Sequence, residues 1–180
     1  MSVTNTTNPL KIGTFLVGHH FDQIRPDDGP DNLRKYYGDH VMEVQIPLGE
    51  GEFESGYEID LGDNHIFKVS MNSDETIEAV YFDNEDADFY EPNVYQLTPG
   101  LDLAGLQAIN GAPVTFLGFD WDYEGTVTDF NGGELEGYEV KLAPIDGDNS
   151  DLLGDGAFRT DEIDQMLLMN FKVAKVGVPL

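Results

Sequence analysis

The sequence predicts an α+β protein dominated by antiparallel sheet, built as two tandem repeats, each a short helix followed by a β-meander. Three observations predict it. The stretch Gly51-Glu52-Phe53-Glu54-Ser55-Gly56-Tyr57-Glu58-Ile59-Asp60-Leu61 returns, one residue shorter, as Gly133-Glu134-Leu135-Glu136-Gly137-Tyr138-Glu139-Val140-Lys141-Leu142. Upstream, Leu33, Tyr37-Gly38 and Val41 share their spacing with Leu106, Asn110-Gly111 and Val114. Two ordered echoes imply a duplicated unit of roughly 70–80 residues. Thirdly, most apolar segments alternate with polar residues between Gly, Asn and Asp, the pattern of strands with one wet face. The expected organisation is a polar tail over residues 1–9, a first repeat over 10–90 and a second over 91–180, the halves forming one structural unit. The acidic, Pro92-containing stretch from Asp83 to Thr98 is the expected junction.

Taken in order, Lys11 to Val17 is apolar and β-prone, and Pro26-Asp27-Asp28-Gly29-Pro30 breaks the chain. Pro30 suits a first helical turn, Asp31 the positive helix end, Arg34 and Lys35 the negative end, and Gly38 the stop, so a helix is expected at about 30–37. Val41, Val44 and Ile46 lead to Tyr57, Ile59 and Leu61 on one face, with Glu58 and Asp60 opposite. Ile66 to Val69 and Ile77 to Phe82 continue the meander. In the second half Asp102 can cap a helix whose Leu103, Leu106 and Ile109 share a face, ended by Asn110-Gly111. Val114 to Phe119, then Phe119, Trp121 and Tyr123 alternating with Asp120, Asp122 and Glu124, read as strand, as do Tyr138, Val140 and Leu142. Thr160 to Met169 reads as a short helix with Ile163, Met166 and Leu167 inward, and Val173, Val176 and Val178 as a closing strand. Leu33, Leu106, Ile59, Val140 and Trp121 are the expected core, and Tyr57 and Tyr138 are expected at equivalent strand positions.

Charge narrows the function classes. The chain carries 35 acidic and 9 basic residues, a formal net charge of −26. Nucleic-acid binding through phosphates needs a basic surface and is not expected, and an anionic membrane surface would repel the chain. Between Val69 and Val140 stand sixteen carboxylates and no Lys or Arg. Those acids must face water, a cation or a basic partner. The absence of cysteine excludes disulfides, thiolate nucleophiles and Cys-ligated zinc. No apolar run approaches the roughly 20 residues of a membrane-spanning helix. The polar, uncharged start does not read as a signal peptide, and a cytoplasmic setting is the expectation for the chain as given.

Helix-Gly followed by a meander, twice, resembles in topology the tandem-repeat fold of the β-lactamase inhibitor protein and its outer-membrane assembly lipoprotein relatives. None of that family's inhibitory residues has a match in this sequence. The segment Gly118-Phe119-Asp120-Trp121-Asp122-Tyr123-Glu124-Gly125-Thr126-Val127, after Asn110-Gly111 and before Asn131-Gly132-Gly133, resembles a Gly-Phe-x-Trp-Asp-Tyr-x-Gly-x-Val pattern of uncharacterised bacterial proteins, which implies no activity.

Few motifs carry chemistry. Asp120, Asp122, Glu124 and Gly125 imitate the first half of a calcium loop, but Asn131 stands where a bidentate Glu is needed, and strand alternation explains the spacing. In Asp146-Gly147-Asp148-Asn149-Ser150-Asp151, the oxygens of Asp146, Asp148, Ser150 and Asp151 are hard ligands that make this loop the candidate calcium site, calcium being the one cofactor the sequence suggests. A solvated turn explains the same residues. Asp83-Asn84-Glu85-Asp86-Ala87-Asp88 reads as a linker. His19 and His20 would point to opposite faces of a strand, and His40 and His65 have no motif around them. No catalytic residues are assigned. The expected function is a non-enzymatic binding or interaction module presenting an acidic surface to a basic protein or other cationic partner. The alternatives are an acid-rich structural or calcium-stabilised protein and, third, a carboxylate-based hydrolase.

Overall fold

A computed structural model describes residues 24–62, 66–83, 97–145 and 152–179. The α+β, sheet-dominated class holds. The first half runs α1 (Pro30–Tyr37), a 3₁₀ turn at Gly38–His40, then β1 (Val41–Gly49), β2 (Glu52–Asp60), β3 (Ile66–Met71) and β4 (Ile77–Phe82). The second runs α2 (Leu103–Asn110), β5 (Thr115–Leu117), β6 (Val127–Asp129), β7 (Glu139–Pro144), β8 (Ala157–Arg159), α3 (Gln165–Leu168) and β9 (Phe171–Pro179). A six-stranded antiparallel sheet has the order β1-β2-β3-β4-β9-β7, and a three-stranded one the order β6-β5-β8. Among the described residues no helix is long and apolar enough to cross a membrane.

The first half follows its sequence pattern. Pro30 opens α1, Asn32 Oδ1 accepts from the Gly29 N–H at 3.1 Å, and Gly38 stops the helix at φ 59°. Leu33 and Tyr37 face inward, and the four strands form a meander. Register sets the faces of the first hairpin. Val41 pairs with Ile59, but Val44 pairs with Gly56 and Ile46 with Glu54. Val44 and Ile46 are therefore on the opposite face, where they pack with Ala79 and Tyr81. An interval of three between Val41 and Val44 cannot keep both on one side of a period-two strand. The sheet thus has apolar residues on both faces.

The second half keeps its helix and loses the meander. Asp102 Oδ1 accepts from the Gly105 N–H at 2.6 Å, and Gly111 ends α2 at φ 71°. Beyond it, β5, β6 and β8 build the small sheet while β7 and β9 complete the large one. Glu134–Gly137 is turn where Glu52–Gly56 is strand, and Tyr138 precedes β7 whereas Tyr57 lies within β2. Asn110 supplies the physical reason. Its buried side chain donates to the Ala112 and Phe130 carbonyls, both at 2.9 Å, and accepts from the Leu135 N–H at 3.1 Å, while its own carbonyl accepts from Glu134 at 2.8 Å. Residues 133–135 are therefore fastened to the helix end and cannot extend into a hairpin.

Two further readings are corrected. Phe119–Glu124 is not a strand: Phe119 is buried, but Asp120 takes φ 74°, Trp121 is only half-buried, and residues 122–125 form a turn. The helix read at 160–169 shrinks to α3, capped by Asp164 on the Met166 N–H at 2.8 Å. Met166 points outward, 79% exposed, and Leu168 is buried in its place. The main core lies on the other side of the large sheet from Tyr81 and joins Leu33, Ile59, Phe67, Leu106, Val140 and Phe171 with the small sheet's Phe116. Phe119 stacks on Phe171 at 4.9 Å between ring centres.

Candidate functional site

The second face of the large sheet is concave because its residues are small. Gly56, Ser70 and Ala79 are aligned across β2, β3 and β4, and Gly177 lies beside Tyr81. A Cβ at Gly56 would stand 2.4 Å from Ile46 Cδ1, and one at Gly177 would stand 2.5 Å from Tyr81 Cε1. These positions let Ile46 and the Tyr81 ring lie flat on the backbone. The result is a trough of about 470 Å³. Pro47–Gly49 of β1 and Glu139–Lys141 of β7 both line it, though these strands stand at opposite ends of the sheet order. The sheet therefore curls until its ends face one another.

The Gly-Phe-x-Trp-Asp-Tyr-x-Gly segment builds the far wall. A side chain at Gly118 would meet the Gly154 carbonyl oxygen at 2.3 Å, and one at Gly125 the Leu142 oxygen at 2.1 Å, where φ is already 68°. The Trp121 indole N–H donates to the Gly118 carbonyl at 2.9 Å, and Glu124 Oε2 accepts from the Asp120 N–H at 2.9 Å. The indole meets Tyr123 edge-on at 5.4 Å. Tyr123 in turn packs on Gly49 at the tip of the β1–β2 hairpin, where a Cβ would be 2.9 Å from its ring. This aromatic contact joins the two walls.

The floor carries the charge. Lys175 Nζ sits 4.0 Å from the centre of the Tyr81 ring, a cation–π contact, and the Tyr81 hydroxyl donates to Glu139 Oε1 at 3.1 Å. Glu54, Glu78, Asp122 and Glu139 line the trough together with Lys141 and Lys175, so acids outnumber bases two to one. Burial, and then the charges of Glu78 and Glu139, raise the Glu54 carboxyl above its ordinary value despite Lys175. Burial also pushes the Lys175 ammonium down, opposed by Glu139, Asp83 and Glu54. Burial and the Glu139 charge raise the Tyr81 phenol, and the Glu50 charge, then burial, raises Tyr123. Glu54 is thus held where its ionised form is incompletely compensated. Chemically, the trough can accept a cation between carboxylates and aromatic rings. A carboxyl raised beside ionised neighbours is also what a general acid requires.

The residues expected from sequence fare differently. Asp146, Asp148, Ser150 and Asp151 lie outside the described residues, as do His19, His20, His65 and residues 84–88. His40 is exposed, its Nδ1 2.7 Å from the Asp60 carbonyl oxygen. Glu124 is committed to its own turn, and no group of three His, Asp or Glu among the described residues is arranged to hold a metal. Glu54, Glu78, Tyr81, Glu139 and Lys175 were not singled out from sequence. The available signal was the small residues Gly56, Ser70, Ala79 and Gly177 at inward strand positions, together with an apolar pair out of phase with Val41. Comparison of the chain with protein-family models, curated proteins and solved structures found no match.

Proposed function

We infer that this protein is a non-enzymatic binding module whose acidic trough receives a cationic group of a basic partner. The observation that carries the reading is Glu54: it stands in a curled, aromatic-walled trough beside Glu78 and Glu139, with its carboxyl raised by burial and by those charges. Lys175 is already placed against the Tyr81 ring, so an incoming ammonium or guanidinium would relieve the remaining acid repulsion. Half-buried Tyr123 at the rim offers a ring face to the same group. We also read the halves as copies of one unit. Helices α1 and α2 end on positive-φ glycines, Gly38 and Gly111, and the paired positions Leu33 and Leu106, and Ile59 and Val140, are buried.

Oligolysine titrated calorimetrically into the full chain tests the function. The double variant Glu54→Gln/Glu139→Gln is expected to weaken binding about fivefold or more, the loss of roughly 1 kcal/mol of ion pairing. The variant Glu134→Gln/Glu162→Gln removes the same charge elsewhere and should change affinity far less. Equal losses in the two would reject the trough and leave only general attraction by net charge.

A further inference from the structure

The two edges of the large sheet are treated differently. At β7, Leu142 N–H donates to the Gly125 carbonyl at 2.8 Å and Thr126 bridges to Lys141, so the 118–127 wall covers that edge. At β1, the backbone bonds only to β2 among the described residues. Nine residues of strand leave a row of amide and carbonyl groups facing outward, a template for another strand. Pro47 lacks a donor and shortens the usable template to Val41–Ile46. Met42 is 49% exposed, and Val44 and Ile46 beside it belong to the apolar patch with Ala79 and Tyr81. Glu43 and Gln45 occupy the opposite face.

Charge identifies the occupant. The hairpin Val41–Asp60 carries Glu43, Glu50, Glu52, Glu54, Glu58 and Asp60 and no Lys or Arg. A second copy would bring the same charge against it, in a chain already at −26. We propose that the β1 edge takes up, by strand addition, an extended segment of a basic partner protein whose apolar and basic residues alternate. The apolar residues would lie beside Met42 and Val44 and extend that patch, and the basic ones beside Glu43, whose exposed carboxylate they would share with Arg34, its donor at 2.8 Å. Main-chain bonds would supply affinity and the alternating side chains selectivity. This rests on the basic-partner reading and adds the mode of recognition.

The test uses two peptides of equal charge on the full chain, one alternating Lys with Val and one alternating Lys with Pro, whose prolines lack an N–H and hold the chain off the strand conformation. The Lys-Val peptide is expected to bind at least about tenfold more tightly. It should also slow hydrogen exchange at alternate amides of Val41–Ile46, and Met42→Lys should weaken it. Equal binding of both peptides without protection of β1 overturns the edge assignment while leaving the acidic-surface reading standing. Binding of neither overturns both. Outward amides of Val41–Ile46 already protected in the peptide-free chain would show that its own residues occupy the edge, which also overturns the proposal.

Discussion

Trp121 shows how one residue's environment revises an energetic expectation. Read as a buried strand residue, its truncation would cost about 3–5 kcal/mol. Half-buried in a turn, with its indole N–H on the Gly118 carbonyl, it should cost about 2 kcal/mol on denaturant unfolding when changed to Ala. A loss near the full core value would mean that the ring packs more deeply than described. Gly125→Ala should be worse, above about 2 kcal/mol, because it combines a left-handed φ with backbone contact at Leu142. A near-neutral Gly125→Ala would contradict the geometry of the far wall. The sequence pattern located both residues but assigned them to a strand. Alternating polarity over Phe119–Glu124 imitates a strand, while the deciding contacts, Gly125 on Leu142 and Gly118 on Gly154, are non-local and leave no periodic trace.

At the scale of elements, legibility tracks how local the determinants are. Helix α1 was readable because Pro30, Asp31, Arg34, Lys35 and Gly38 act within the helix itself, and α2 because of Asp102 and Gly111. The hairpin strands were readable from period-two alternation. The second meander was not, because Asn110 diverts the chain through bonds to residues 20 and 25 positions away. The trough was illegible for a related reason: it is assembled from β1, β2, β4, β7 and β9 by sheet order, which a repeat count cannot supply. Its charge makes a pH prediction. Glu54 is raised in the fold above 4.5, so between 4.5 and that raised value the native state binds more protons than the unfolded chain, and above it ionised Glu54 lowers stability. That penalty should fade as pH falls through the raised folded value towards 4.5. Glu54→Gln should therefore raise the melting temperature at pH 7, with the gain shrinking towards pH 4.5. Asp74 acts oppositely: hydrogen bonds from Thr76 lower its carboxyl below 3.8, so its contribution holds above that value and is lost as pH falls through the lower one. A melting temperature lowered by Glu54→Gln at pH 7 would show Glu54 to be compensated in the fold.

For the whole molecule the governing quantity is the acid excess. Sixteen carboxylates without a Lys or Arg between Val69 and Val140 repel one another in the compact state, and salt screens them over about 8–10 Å near physiological strength. Added NaCl should raise the melting temperature. Calcium should raise it further than sodium at matched ionic strength, saturably and reversibly by chelation, if Asp146, Asp148, Ser150 and Asp151 hold an ion. A salt-independent melting temperature would place these charges too far apart to matter. The same excess would attract any basic partner, so affinity alone is a weak test, and location decides. The most direct measurement is a backbone NMR titration of the full chain with oligolysine at physiological salt. The account predicts that the largest shifts gather at Gly49, Glu54, Glu78, Tyr81, Tyr123 and Glu139 and collapse in Glu54→Gln/Glu139→Gln. Shifts spread evenly over the acidic surface, or confined to residues 146–151, would contradict it.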